Sequence, residues 1–360
     1  MMNYWKICAA LLAGAAGLSA HAAAPVTTLK VMSFNVQVNG NGSGGINQCV
    51  NAIQNSGADI VGIQEADGYA LKSIASQLNW YFVQTGGGGK YGVASRYPII
   101  KRIGETALDY GGVGATIELG PDQRVHLFNS HLYYTPYGPY QLQQGMSANQ
   151  IINSENSVRM PGLNELLALA SPFIASAEPT FLVGDFNAPS HLDYAALNWP
   201  ESVACYNAGL ADSYRVLHSG NRSFPPAFGL AEPGITWTPN GLASEPNGVY
   251  DRIDFVYYSD GTPTSSTELD TRNSVNPWPS DHRAVITAFT IAPPLQVAKA
   301  SSPIPAHTLQ TAPLRPVMTW VPGTSALSHN VYFGTTNPGT FRGNQTASKF
   351  IPGLLAPSTT

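Results

Sequence analysis

Short apolar runs that each close on a polar or acidic residue recur from Leu29 to Ile291, with helical periods between some of them. This feature constrains the fold most, because strands that are apolar along their whole length need a covering layer on both faces. The spacing predicts strands over Leu29–Val36, Asp59–Gln64, Tyr81–Gln84, Tyr91–Ser95, Ile99–Thr106, Ala115–Leu119, Val125–His131 and Thr180–Gly184. It predicts more at Ile235–Thr238, Arg252–Ser259 and Arg283–Ile291. Helices are predicted over Ile46–Asn55, closed by Gly57, over Tyr69–Leu78, and over one long stretch near Asn156–Ala177. Strands outnumber helices, so the expectation is a layered α/β domain with sheet at its centre.

The strand ends carry the chemistry. Ser33-Phe34-Asn35, Ile63-Gln64-Glu65, Asn129-Ser130-His131-Leu132, Gly184-Asp185-Phe186-Asn187, Arg252-Ile253-Asp254 and Ser280-Asp281-His282 each place an amide, carboxylate or imidazole at or beside the end of an apolar run. In layered α/β domains such ends are where distant parts of the chain converge on a ligand. Any one of them alone reads as an ordinary turn residue, since Asn and Asp close turns readily.

Taken in order, the six segments resemble the endonuclease/exonuclease/phosphatase superfamily, which includes deoxyribonuclease I-like and exonuclease III-like nucleases, sphingomyelinases and inositol polyphosphate phosphatases. Ser95-Arg96-Tyr97-Pro98-Ile99 and Thr236-Trp237 add to the likeness, which spans about Leu29 to Ile291. The resemblance implies a four-layer α/β sandwich, two mixed sheets face to face with helices outside. Phosphoester hydrolysis needs a hard cation with oxygen ligands, and Asn35, Glu65 and Asp281 offer them. No Cys or His cluster has zinc spacing, so the cation is expected to be Mg²⁺ or Mn²⁺. A water must also lose a proton, and His282 oriented by Asp254 fits a general base held by a carboxylate. By the resemblance, Asp185 and Asn187 position that water and hold a phosphate oxygen. His131 donates a hydrogen bond to the phosphate or a proton to the leaving oxygen.

The substrate is less constrained. Nucleic acid is the expected partner. A phospholipid head group, taken by a sphingomyelinase-like phospholipase C or a phosphoinositide phosphatase, is the alternative. A catalytically idle surface-binding module is a reading of another class, opposed by the intact Glu65, Asp185, Asn187, Asp281 and His282. Tyr133 and Tyr134, with Tyr137 and Tyr140, form an aromatic loop after His131 that could stack on bases or pack on itself. Arg159 is kept as a candidate substrate contact, with support of packing or a local salt bridge as the favoured role, and Asp251 reads as a surface or supporting residue. Gly86–Gly89 with Lys90 lacks P-loop spacing and reads as a hairpin tip.

The formal net charge of −4 gives no global basic field, which weighs against tight non-specific DNA binding. One Lys, an apolar stretch over Ile7–Leu18 and Ala20-His21-Ala22 read as a signal peptide over residues 1–22, cut after Ala22, with export or a periplasmic location expected. No apolar run is long enough to predict a transmembrane anchor, and a monomer is expected. Cys49 and Cys205 then remain, either as one disulfide or as two buried small residues. Residues 23–291 form the expected catalytic domain and 292–316, rich in Pro, Ala and Ser, a linker. Residues 317–360, with Trp320 and Val331-Tyr332-Phe333-Gly334, read as a partial fibronectin type III-like sandwich that stops early.

Overall fold

The computed structural model describes residues 25–86, 89–176, 178–194, 197–219, 234–237, 250–270, 277–293, 300–306, 313–323, 326–334 and 339–356. The expected signal peptide lies outside the described residues, as does part of the Gly86–Gly89 tip. The chain divides into two compact units, one over Ala22–Pro293 and a second that includes Pro294–Thr360.

The first unit opens with β1 (Thr28–Asn35), the irregular turn α1 (Gln37–Gly40), α2 (Gly45–Ser56), β2 (Ile60–Gln64), α3 (Tyr69–Leu78), β3 (Tyr81–Gln84) and β4 (Tyr91–Ser95). It continues through β5 (Ile99–Glu105), β6 (Gly112–Gly120), β7 (Gln123–His131), α4 (Gly138–Gln143), α5 (Ala148–Val158), α6 (Met160–Ile174) and β8 (Thr180–Asp185). The last elements are α7 (Pro200–Asn207), β9 (Ala211–Asp212), α8 (Ser213–Leu217), β10 (Asp254–Tyr258), β11 (Thr262–Leu269) and β12 (Ala284–Thr290).

These strands make two six-stranded mixed sheets, ordered β11-β12-β1-β2-β4-β3 and β5-β6-β7-β8-β10-β9. Each sheet is built around one parallel pair, β1 with β2 and β7 with β8, flanked by antiparallel neighbours. A parallel pair needs a crossover. α2 supplies the first, and the run α4 to α6 supplies the second.

Alternation along the strands sorts side chains into three cores. Leu29 and Val31 of β1 and Ile60 of β2 face Leu127 of β7 and Phe181 and Val183 of β8 in the inter-sheet core. Met32, Phe34, Val61 and Ile63 turn outward onto Cys49, Ile53, Leu71 and Ile74 of α2 and α3. On the far side Phe128, Leu182 and Phe255 meet Leu163, Leu166 and Ala170 of α6 and Cys205 of α7. The result is the four-layer arrangement, and it explains why these strands read as apolar throughout. Cys49 and Cys205 are free and buried in the two outer cores, so the disulfide alternative is set aside.

A polar stitch crosses the middle. Asn129 of β7 donates Nδ2 to Ile63 O (2.8 Å) and Gly92 O (2.6 Å), and its Oδ1 accepts from Gln64 Nε2 (2.6 Å). Gly62 makes room for it, since a Cβ there would lie 2.3 Å from Val183 Cγ2 and 2.7 Å from Asn129 Oδ1.

The long helix expected near Asn156–Ala177 is two helices that meet at Arg159. Pro161 cannot donate to the carbonyl four residues back, which breaks the ladder there. The first of them begins at a capping box, Ser147 with Gln150. At the strand expected over Ile235–Thr238, only two isolated bridges form among the described residues, from Trp237 to Asp251 and to His282.

In the second unit β13 (Ser301–Ile304), β14 (Met318–Val321) and β17 (Lys349–Phe350) form a three-stranded sheet, and β15 (His329–Phe333) with β16 (Thr340–Gln345) a hairpin. β13 falls inside the segment read as a linker and pairs with β14. Among the described residues no helix is long and apolar enough to cross a membrane.

Candidate active site

The topology brings six strand ends to one rim. β1 and β2 run parallel, so Asn35 and the Gln64-Glu65 step finish side by side. β7 and β8 do the same, setting His131 opposite Asp185. β10 runs the other way and begins where β8 ends, pairing Asp254 with Asp185. β12, antiparallel to β1, is preceded by Asp281-His282 at the same rim. Backbone conformations rare for non-glycine residues concentrate here: φ is +51° at Gln37, +43° at Val38, +65° at Asn39, +56° at Glu65 and +48° at Asn187. Such conformations persist only where surrounding contacts hold them, and they cluster at functional sites.

His282 and Asp254 form the best-defined pair, with Nδ1 and Oδ2 2.9 Å apart. The imidazole is further held by its backbone, with N–H donating to Ser280 Oγ (3.0 Å) and the carbonyl accepting from Trp278 Nε1 (2.6 Å). Its other nitrogen, Nε2, lies 3.6 Å from Asp185 Oδ2. Burial alone would pull the imidazole pKa down, but the carboxylates of Asp254 and Asp185 lift it well above 6.5. His131 goes the other way: burial lowers it, and the nearby Asp185 and Glu65 only partly compensate. The two imidazoles are therefore driven in opposite directions, His282 toward holding a proton and His131 toward releasing one.

Asp185 is the hub. Its Oδ1 accepts from Asn187 N–H (2.9 Å), its Oδ2 from Asn35 Nδ2 (2.9 Å), and His131 Nε2 is 3.7 Å away. Burial pushes its pKa up, opposed by His282. Glu65 accepts from Asn35 Nδ2 at Oε1 (3.0 Å) and from Val38 N–H at Oε2 (2.7 Å). Burial pushes the Glu65 carboxyl up, but the closeness of His131 and these hydrogen bonds outweigh it and hold it below 4.5.

Glu65, His131, Asp185, Asn187, Asp281 and His282 all line one cleft of about 550 Å³, walled by Tyr110, Tyr134, Tyr137, Tyr140 and Trp237 and edged by Lys90. Asn35 sits beneath the floor. Its oxygen accepts from Gln37 N–H (2.9 Å) while its nitrogen bridges Glu65 and Asp185, so it contacts the carboxylates as a donor and not as a ligand. Tyr134 reaches the cleft. Tyr133 packs instead against Tyr110 and Tyr134, with ring centres 4.6 and 5.1 Å away.

Arg159 corrects a sequence expectation. It is 1% exposed, its guanidinium paired with the buried Glu155 carboxylate and donating to Pro136 O (2.7 Å), because the break between α5 and α6 points it inward. It supports the tyrosine loop from behind and does not line the cleft.

The family model described as endonuclease/exonuclease/phosphatase matches residues 32–282, a span that holds every polar side chain of the rim. The chain belongs to that family. Membership makes it a divalent-metal-dependent phosphoric ester hydrolase. A related protein of Caenorhabditis elegans, the uncharacterized F14F9.5, is 28% identical over 296 residues, which is 73% of this chain and 91% of that one. Among solved structures, humanized D. rerio TDP2 is 16% identical with a TM-score of 0.49, covering 73% of this chain and 99% of that one. An AP endonuclease from Archaeoglobus fulgidus is 15% identical with a TM-score of 0.48, covering 73% and 100%.

The family's cation fits the residues present. Ligand atoms of Glu65, His131 and Asp185 lie within 4.8 Å of one another. Asp281 Oδ1 is shielded from solvent without a hydrogen-bond partner. Carboxylate oxygens at one cleft, with one left unsatisfied, are the donor set a hard divalent ion takes.

The strand-end motifs named Glu65, His131, Asp185, Asn187, Asp281 and His282, all of which line the cleft. Tyr110 and Asn39, which also line the cleft, carried no motif, and Lys90 was read only as part of a hairpin tip. They arrive from loops, where only the fold shows what they face.

Proposed function

We propose that this protein hydrolyses phosphodiester bonds in nucleic acid, with His282 as the general base on the attacking water. The observation that carries this is the His282–Asp254 pair. Asp254 fixes the tautomer through Nδ1 and raises the basicity of Nε2, which faces Asp185 at the cleft. Asp185 orients the water, held in place by Asn187 N–H and Asn35 Nδ2. Neutral His131 donates to a phosphate oxygen or to the leaving group. Asn187 gives one amide hydrogen to Leu132 O (3.0 Å) and keeps the other for the phosphate. Glu65 and Asp281 would hold Mg²⁺ or Mn²⁺, with Asn35 as the donor that orients Glu65. The bound cation would supply Lewis-acid stabilisation of the charge that builds on phosphorus oxygens.

The cleft walls favour nucleic acid over a polyphosphate head group. Five aromatic rings offer stacking surface, whereas Lys90 is the single Lys or Arg among the described lining residues. The signal-peptide-like first residues support export, and the Trp320 and Val331-Tyr332-Phe333-Gly334 segments support the fibronectin-like reading of the tail.

The test offers the purified protein plasmid DNA, RNA, sphingomyelin and a phosphoinositide side by side with Mg²⁺ or Mn²⁺. Cleavage of either nucleic acid is the expected result. Release of phosphocholine or phosphate without cleavage of nucleic acid would overturn the reading and move the chain to lipid substrates.

A further inference from the structure

Beside the acid–base pair, three rings make one wall of the cleft. Tyr137 and Tyr140 meet edge to face with centres 5.0 Å apart, and Trp237 lies 5.9 Å from the first and 6.4 Å from the second. All three line the cleft.

Behind them sits Asp251, 1% exposed. Its Oδ2 accepts from Tyr137 O–H (2.6 Å) and its Oδ1 from Tyr194 O–H (2.5 Å). Its backbone pairs with that of Trp237 in both directions, N–H to carbonyl at 2.9 and 2.8 Å, and Trp237 bridges in turn to His282. One residue therefore fixes two rings of the wall, Tyr137 by its side chain and Trp237 by its main chain. The wall also shares a backbone bridge with the residue assigned as base.

We infer that this wall is a subsite for a nucleobase next to the scissile phosphate, and that Asp251 is the positioning residue that sets it. The inference rests on the nuclease reading and narrows it. Both Asp251 oxygens are engaged, and the Tyr137 hydroxyl donates away from the cleft. Tyr137 so offers the cleft its ring in place of a directed hydrogen bond, and Tyr140 and Trp237 add two more rings beside it. A flat uncharged ring is the ligand such a surface takes, through stacking that every base can supply, so the subsite is indifferent to base identity.

The test uses the full chain and substrates with a single phosphodiester bond: a thymidine dinucleotide and analogues in which one or the other thymine is replaced by hydrogen. The wild-type KM should be about 5- to 100-fold lower for the dinucleotide than for the analogue lacking the stacked base, the range base–aromatic stacking gives. Asp251→Ala should abolish that ratio, with the loss falling on KM more than on kcat. Asp251→Asn, which retains an acceptor oxygen for a tyrosine, should restore most of it.

Equal KM values for all substrates in the wild type would overturn the subsite while leaving the nuclease reading intact. A drop in kcat on every substrate with the KM ratio preserved would overturn the role of Asp251. If no dinucleotide is cleaved but a lipid ester is, the nuclease reading fails, and thymidine binding followed by tryptophan fluorescence decides the subsite. Quenching in the wild type that Asp251→Ala removes supports it; no quenching overturns it.

Discussion

Gly62→Ala is the sharpest test of how the two sheets meet. The added Cβ would lie 2.3 Å from Val183 Cγ2 and 2.7 Å from Asn129 Oδ1. Carbon atoms pack at about 3.5–4.0 Å, so the methyl must displace its neighbours by more than an ångström. Val183 is anchored in the inter-sheet core. Asn129 is tied to Ile63, Gly92 and Gln64. Overpacking a core costs about 1–3 kcal/mol, and leaving a buried polar group unpaired costs about as much again. A loss of roughly 2–5 kcal/mol is therefore expected, read from urea unfolding. Val183→Ala removes the nearest offending atom, so the double variant should be less destabilised than the sum of the singles by about 1 kcal/mol or more. A Gly62→Ala protein within about 0.5 kcal/mol of wild type, the margin of ordinary surface changes, would refute this packing.

Glu65→Gln should remove most of the thermal stabilisation that Mg²⁺ or Mn²⁺ gives the wild type, since ligand binding to the native state raises Tm; an unchanged metal-dependent shift would exclude Glu65 as a ligand. Burial raises the Asp251 carboxyl from 3.8 to about 6, opposed by its tyrosine hydrogen bonds. Its protonated form is thus favoured on folding, and the stability this contributes is present below pH 3.8 and lost as pH rises through about 6. Asp251→Asn should accordingly flatten the fall in stability between pH 3.8 and about 6, measured as a pH series of unfolding curves; an unchanged pH dependence would exclude Asp251 as its source. Arg159→Ala should cost about 3–5 kcal/mol by leaving Glu155 buried without its partner; an unchanged unfolding midpoint would show that the pair does not matter.

Much of this was legible in the residues for identifiable reasons. β1, β2, β7 and β8 are covered on both faces, so continuous apolar runs marked them and their polar ends marked the rim. α2 was bounded by Gly57, whose φ of +68° caps it. β11 escaped because Thr262–Leu269 is an edge strand of hydroxyl-bearing residues, with Ser266 Oγ buried against Thr287 Oγ1 at 2.8 Å. The early start of β6 escaped because Gly112-Val113-Gly114 carries too few side chains to show a period. The start of α5 was written in the sequence, as Ser147 and Gln150 three residues apart, and the period-based reading passed over it. Arg159 looked available because a helix surface is the usual place for an Arg; only the break at Pro161 turns it inward. Asn35 has both an oxygen and a nitrogen to offer, and which one meets Glu65 is decided by Gln37 N–H, a contact that spacing does not encode.

The central claim is that His282, held by Asp254, is the base of a metal-dependent phosphodiesterase. The measurement that tests it most directly is the rate of phosphodiester hydrolysis by wild-type and His282→Ala proteins with Mg²⁺ or Mn²⁺, alongside their unfolding curves. A fall of roughly 10²–10⁴-fold in a folded variant is the expected result. Wild-type rates from a folded His282→Ala protein would contradict it.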